Sequence, residues 1–262
     1  MKNILRITIL GIMRDRVFHG ITVAALVFGL VPVISQLSMR QVTELALTLS
    51  LSLTSFLLLL LSVFLGGMSL WKDIDRRYAF SILGLPLQRS EYVLGKYLGV
   101  VSFILLTATV LGIVGAFFSY SAIGVYPPNR PVLWENYVYA IFFDVLKYAL
   151  LVGFAFLFST ISTSFFLPMF GAVCIFFVGS SSQEAYNYVN SPEAEALHPA
   201  AKSAITALYY VLPNFGAFDF KTNAIYSIPM DYQGLMLTFV YFCCYVSIIL
   251  GLAVILFNHR QL

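Results

Sequence analysis

Charge is what this sequence has least of. Asp, Glu, Lys and Arg make up 10% of its 262 residues and apolar types 60%, whereas about a quarter of a soluble domain is charged. So few charges cannot solvate a globule of this size; they suit a chain whose solvent is largely hydrocarbon. The net charge of +3 gives no strong hold on a polyanion, and no nucleic-acid partner is expected. Cysteine is scarce as well. Cys174, Cys243 and Cys244 all sit in apolar runs, none in a CxxC or a Cys/His cluster. They read as small core hydrophobes, with no structural disulfide or metal expected.

Catalytic signatures are missing too. There is no GxxxxGK[ST]; Gly95-Lys96 lacks both the upstream glycine and the following Ser/Thr, so the chain is not expected to cradle a nucleotide. His19, His198 and His259 are scattered, which argues against a haem-binding anchor. Gly179-Ser180-Ser181-Ser182 offers hydroxyls but no intramembrane histidine partner, and reads as a serine-rich helix end rather than a nucleophile. No HExxH and no carboxylate pair points to a protease or transferase. The expectation is a non-enzymatic chain that binds no cofactor itself.

Long apolar runs are what the chain has in abundance. Val17 to Met39 is free of charge between Arg16 and Arg40, long enough for a helix to cross a hydrocarbon core of about 30 Å; Pro32 is placed to kink it. Further spans run from Leu45 to about Leu70, from near Tyr97 to the proline-rich break at Tyr126-Pro127-Pro128, from near Asn136 to Phe158, from Phe165 to about Val178, and from about Gly234 to Phe257. The fold class expected is all-α: a polytopic membrane protein with six transmembrane helices. Ahead of them, residues 1–16 are basic and mildly amphipathic, with Ile4, Leu5, Ile9, Ile12 and Met13 able to share one helical face. This reads as an interfacial helix or as a loose basic N-terminus that only sets orientation. The following run is too long for a signal-peptide core.

Six spans put both termini on one side, and the positive-inside rule selects it. With the N-terminus inside, the cytoplasmic set is Lys2, Arg6, Arg14, Arg16, Lys72, Arg76, Arg77, Arg89, Lys96 and Arg260; the outer set is Arg40, Arg130, Lys202 and Lys221. That is ten against four. The longest polar interval on the inner side, Trp71 to Gly99, is a basic, helix-capable segment strung between two spans, suited to passing force from a soluble partner. On the outer side, residues 179–233 read either as a short helical cap or as a solvated loop. Ser191-Pro192-Glu193 has the form of a helix start, and Pro199 to Leu212 places Ala201, Ala204, Ile205, Leu208 and Leu212 on one face before Pro213-Asn214 stops it.

Two ionisable residues lie at membrane depth, Asp144 and Lys147. Three apart on a helix, they can pair. Such charges are costly in a bilayer and face a bundle interior or a wet cavity. They read as a substrate or gating contact, or as a mutually neutralising structural pair.

Asp75 to Gly99, DRRYAFSILGLPLQRSEYVLGKYLG, resembles the first cytoplasmic segment of ABC-2-type permeases, the membrane subunits of a class of ABC transporters. The matching features are an acid before a short helix (Asp75), a Leu-x-x-Pro turn (Leu83 to Pro86), an Arg-x-Glu (Arg89 to Glu91) and a Gly-Lys (Gly95-Lys96). The family more often has Glu at the position of Asp75 and Gly-Thr at Tyr78-Ala79. The likeness extends more loosely over the amphipathic N-terminus, the six spans, the Phe158-Ser159-Thr160 turn and Leu212-Pro213-Asn214. It implies a single transmembrane domain over residues 1–262, with residues 71–96 as the segment that couples to an ATPase through Asp75, Arg76, Arg77, Ser81, Leu83, Pro86, Arg89 and Glu91. It further implies two copies of an ABC ATPase holding ATP-Mg, a second permease protomer, identical or related, and a bacterial or archaeal inner membrane whose lipids surround the spans. The usual direction is export. Two other classes stay open: an ion-gradient-driven secondary transporter, whose internal repeats and midplane acids are not evident, and a non-transporting structural subunit.

Overall fold

Apolar runs of this length find no water for their backbone groups in a bilayer, so they close their hydrogen bonds internally as helices. The computed structural model describes residues 2–14, 19–20, 41–75, 88–125, 128, 130–192 and 198–260; among these there are helices and turns but no strand. In chain order they are α1 (Lys2–Met13), α2 (Val42–Asp75), α3 (Arg89–Val125), α4 (Trp134–Ile161), α5 (Phe166–Val189), α6 (Pro199–Val211), a 3-10 turn (Phe215–Phe218), α7 (Lys221–Ile225) and α8 (Tyr232–His259). Five of these, α2, α3, α4, α5 and α8, are long and apolar enough to cross a membrane. They correspond to the second through sixth expected spans. The first, Val17 to Met39, lies outside the described residues apart from His19 and Gly20.

The bundle is built around α4. Of its most apolar window, 72% is buried, against 17% for α5 and for α8, so α4 is the centre and those two are flanks. Tyr148, Leu150, Leu151, Val152, Ala155 and Phe156 of α4 meet Leu58 and Leu61 of α2 and Val100 and Ile104 of α3 in one core. A helix apolar on all sides has no preferred face, and can be surrounded.

Several boundaries depart from expectation. The helix α5 runs on to Val189, well past Val178, with Ser180 to Ser182 in its interior. Ser182 donates its hydroxyl to the Gly179 carbonyl (2.9 Å), a local bond that lets a polar residue continue a helix. The segment between the last two spans therefore begins after Val189 rather than at Gly179. Ser191 donates to the Tyr188 carbonyl (2.7 Å) and so closes α5; Glu193, its expected first-turn acid, lies outside the described residues. The helix α3 starts at Arg89, so Arg89, Glu91 and Lys96 ride on its first two turns.

The N-terminal helix is present, but the stripe it buries is Ile4, Thr8 and Ile12, with Met13 exposed. A Cβ at Gly95 would come within 3.0 Å of Ile4, and one at Gly99 within 2.7 Å of Thr8. The glycines four apart on α3 thus form the trough that receives α1. Thr8 enters this contact because its hydroxyl bonds back to the Ile4 carbonyl (2.8 Å). Four further glycines of the spans are also used within the chain: Gly66 against Val152 and Ala155, Gly67 against Met169, Gly112 against Ile141, and Gly115 against Tyr137 and Ser50.

This packing gives a paired test. Gly99→Val forces overlap with Thr8 and should cost about 1–3 kcal/mol, the usual cost of overpacking. Gly11→Ala meets nothing within 4 Å among the described residues and should be neutral or stabilise by up to about 1 kcal/mol through helix propensity. Thermal unfolding of the detergent-solubilised protein reads both; equal midpoints would remove the α1–α3 trough.

Candidate functional site

Polar side chains gather at two levels of the bundle. The first is the end where α2 stops and α3 starts. Asp73, in the last turn of α2, accepts a hydrogen bond from the Tyr92 hydroxyl and forms an ion pair with Lys96, both from α3. Tyr92 and Lys96 are four apart and so project from one face. Lys96 also lies 3.4 Å from the Ser69 carbonyl. This clamp joins the two ends of the segment expected to couple.

Beside it, two arginines complete helix ends. Arg89 donates to the carbonyls of Phe257 (3.3 Å), Asn258 (2.9 Å) and Arg260 (3.2 Å), at the C-terminus of α8. Arg260 in turn donates to the carbonyls of Ser159 (3.1 Å), Thr160 (2.8 Å) and Ser162 (2.8 Å), at the C-terminus of α4. The last carbonyls of a helix have no intrahelical partner and carry the negative end of its dipole. A guanidinium satisfies several at once. The starts and ends of α3, α8 and α4 are therefore tied in series at one end of the molecule.

Of the residues expected to couple, Asp75 is the exposed last residue of α2, and Glu91 is partly buried in the first turn of α3. Arg89 is engaged by the carbonyls just described. Arg76, Arg77, Ser81, Leu83 and Pro86 lie outside the described residues.

The second level is inside the bundle. Asp144 and Lys147 are brought together, with Oδ1 and Nζ 3.7 Å apart and both side chains almost wholly buried. Sequence reasoning missed the third member. Lys221, expected in the outer segment, reaches in from α7 to stand 3.8 Å from Asp144 Oδ2 and to donate to Ser55 Oγ (2.8 Å). Ser55 Oγ also shares a hydrogen bond with the Tyr148 hydroxyl (2.7 Å). Lys147 stands over the rings of Tyr148 (5.3 Å) and Phe176 (5.7 Å). Asp144 Oδ1 is buried without a hydrogen-bond partner among the described residues. The carboxylate is thus held by two cations at Coulombic rather than hydrogen-bonding range, worth about 4 kcal/mol each at an effective dielectric near 20, before desolvation is subtracted.

The short helix α7 is fixed over this cluster from both sides. Phe220 packs edge-on against Phe143 with ring centroids 4.9 Å apart. The Asn136 amide donates to the carbonyls of Asn223 (3.1 Å) and Ile228 (2.8 Å). The one hint in the sequence was a lysine next to Phe220 within a largely apolar stretch, since a lysine among aromatics needs an acid to approach.

Against known proteins, the family model described as ABC-2 family transporter protein matches residues 21–215, most of the chain. The chain belongs to the ABC-2 family of transporter proteins, and with its apolar helices it is a multi-pass membrane protein. No curated protein matches it.

The cluster predicts an order of damage. Asp144→Leu leaves the buried Lys147 and the partly buried Lys221 without their acid and should cost about 3–5 kcal/mol, the range for breaking a buried pair. Lys221→Met and Lys147→Met each leave Asp144 one cation and should cost less, with the double variant exceeding the sum of the singles. Thermal unfolding of the four variants in one detergent checks this; additivity of the two lysine changes would deny that they share the carboxylate.

Proposed function

We propose that this chain is an ABC permease that forms a translocation pathway as a dimer, with a second copy of itself or a related chain. Two separate ABC ATPases, each holding ATP-Mg, dock on residues 71–96 from the cytoplasm and drive export. The observation that carries this reading is the tying of helix ends around the coupling segment. Asp73, Tyr92 and Lys96 hold its two ends together, Arg89 joins it to α8, and Arg260 joins α8 to α4. A push on residues 76–87 is then delivered to four spans together, α2, α3, α8 and α4, and packed spans move as rigid bodies rather than bending. Asp75, Arg76, Arg77 and Glu91 give the docking face both signs of charge, which suits a segment that is solvated alone and complementary when bound. The lack of a GxxxxGK[ST] in the sequence supports the reading in which the partner hydrolyses ATP.

In this reading the membrane is a bacterial or archaeal inner membrane with both termini in the cytoplasm, and Asp144, Lys147 and Lys221 lie toward the outer half, where they hold the outer segment shut over the bundle.

Two experiments test the proposal. Reversing both Arg76 and Arg77 to Glu should lower stimulation of the cognate ATPase about tenfold or more while the thermal midpoint stays unchanged; full ATP-driven transport by the double variant would remove the coupling assignment. Native mass spectrometry with the ATPase present should show two permeases and two ATPases, and a transport-competent particle with one permease would sink the dimer.

Orientation is tested separately. A membrane-impermeant thiol reagent should label Ser191→Cys in intact cells, in a background lacking the three native cysteines, and Gln88→Cys only after permeabilisation. Labelling of position 88 from outside would invert the assignment.

A further inference from the structure

The groove between α6 and α8 has an unusual lining. It encloses about 470 Å3 and presents four tyrosines, Tyr209, Tyr210, Tyr241 and Tyr245, with Leu237 and Val240 beside them; among the described residues none that lines it is charged. Three of the hydroxyls are already committed. Tyr209 donates to Gln183 Oε1 (3.1 Å), Tyr241 accepts from the Asn214 N–H (2.8 Å), and Tyr245 donates to the Leu212 carbonyl (3.5 Å). The rings are also held. Tyr186 stacks on Tyr209 with centroids 4.2 Å apart, and Tyr241 and Tyr245 lie 4.6 Å apart. What these side chains offer the groove is therefore mainly aromatic surface, beside the Tyr210 hydroxyl and the Tyr241 O–H.

The face of an aromatic ring is the negative part of its quadrupole, and attracts a cation placed over it. The kind of cation follows from what the lining lacks. A primary ammonium is strongly hydrated and has three donors to satisfy, and among the described lining residues no carboxylate replaces its water. A quaternary ammonium has no N–H and gives up its water readily. An anion would be repelled by the ring faces. The surface beyond the tyrosines adds a second requirement. Tyr241, Tyr245, Ile248 and Leu252 follow one another at i, i+4, i+7 and i+11 on a single face of α8, and Ile248 and Leu252 are 62% and 46% exposed. The stripe thus passes from aromatic to aliphatic along the span.

We propose that this groove binds a cationic amphiphile with a quaternary ammonium head, the head over the tyrosine rings and the alkyl chain along Ile248 and Leu252. The site involves neither the coupling segment nor the Asp144 cluster, so it stands or falls apart from the transport reading.

The test is equilibrium binding of radiolabelled dodecyltrimethylammonium to the full-length protein in an uncharged glycoside detergent. The comparison is the same chain ending in a neutral tert-butyl group. Saturable binding of one molecule per chain is expected, about tenfold tighter for the cation. Tyr245→Phe keeps the ring and should bind within about twofold of wild type, while Tyr245→Leu should weaken binding about five- to tenfold. Tyr210 is 68% exposed, so Tyr210→Leu probes the groove without disturbing the core and should weaken binding similarly. Equal affinity for the neutral analogue, unchanged affinity in both leucine variants, or uptake that never saturates would each overturn the proposal.

Discussion

A carboxylate withdrawn from water dictates what surrounds it. Asp144 sits on the most buried helix of the bundle, where an unpaired charge would cost several kcal/mol. The chain answers with cations from two directions: Lys147 from the same helix and Lys221 from the short helix α7. The second answer has the larger structural consequence. To bring Lys221 to Asp144, the polypeptide between α6 and α8 must turn inward, pack Phe220 on Phe143 and lend its carbonyls to Asn136. The polypeptide between α6 and α8 is thus tied to α2 and α4 by electrostatics rather than by apolar burial alone.

The opposite end obeys the same rule with helix dipoles in place of a side-chain acid. The ends of α8 and α4 each leave carbonyls without partners, and each is met by one arginine, Arg89 and Arg260. The element that receives one cap supplies the next, since Arg260 directly follows the end of α8. Both levels meet on α4, which carries Asp144 toward one end and the carbonyls bound by Arg260 at the other. A displacement at the α2–α3 clamp has a continuous path of charge-assisted contacts and close packing to the cluster beneath α7.

Helices and their order are legible in the sequence because hydrocarbon solvent leaves a long apolar run almost no alternative. Their ends are less so. The continuation of α5 through Ser180 to Ser182 hides because serine signals a helix end in water, but within an apolar bundle it can return its hydroxyl to the preceding turn. The Asp144–Lys147 pair is readable from its spacing alone. Lys221 is not, since its partner is distant in sequence and reached only through the turn formed by the 3-10 segment and α7. Thr8 is hidden for a related reason: a polar residue qualifies for a buried stripe only where glycines such as Gly95 and Gly99 leave room for it.

The use of the glycines also constrains assembly. Small residues let helices approach closely, and in this chain Gly66, Gly67, Gly95, Gly99, Gly112 and Gly115 all spend that capacity on contacts inside one protomer. A second protomer meeting the described surface has mostly large side chains to meet instead: Phe166, Phe170 and Phe177 on α5, Leu105, Ile113 and Phe117 on α3, Met236 and Phe239 on α8, with Gly251 the open small residue on α8. Between such faces in a lipid solvent there is little hydrophobic drive to associate, because lipid covers them equally well. Stable pairing then requires something lipid cannot supply, namely interlocking shape over a broad area or a partner that grips both protomers from outside the bilayer. Two ATPases that close on ATP are such a partner. In the proposed assembly they would hold the protomers together as well as move them, so that the same contacts set both the stability of the dimer and its stroke.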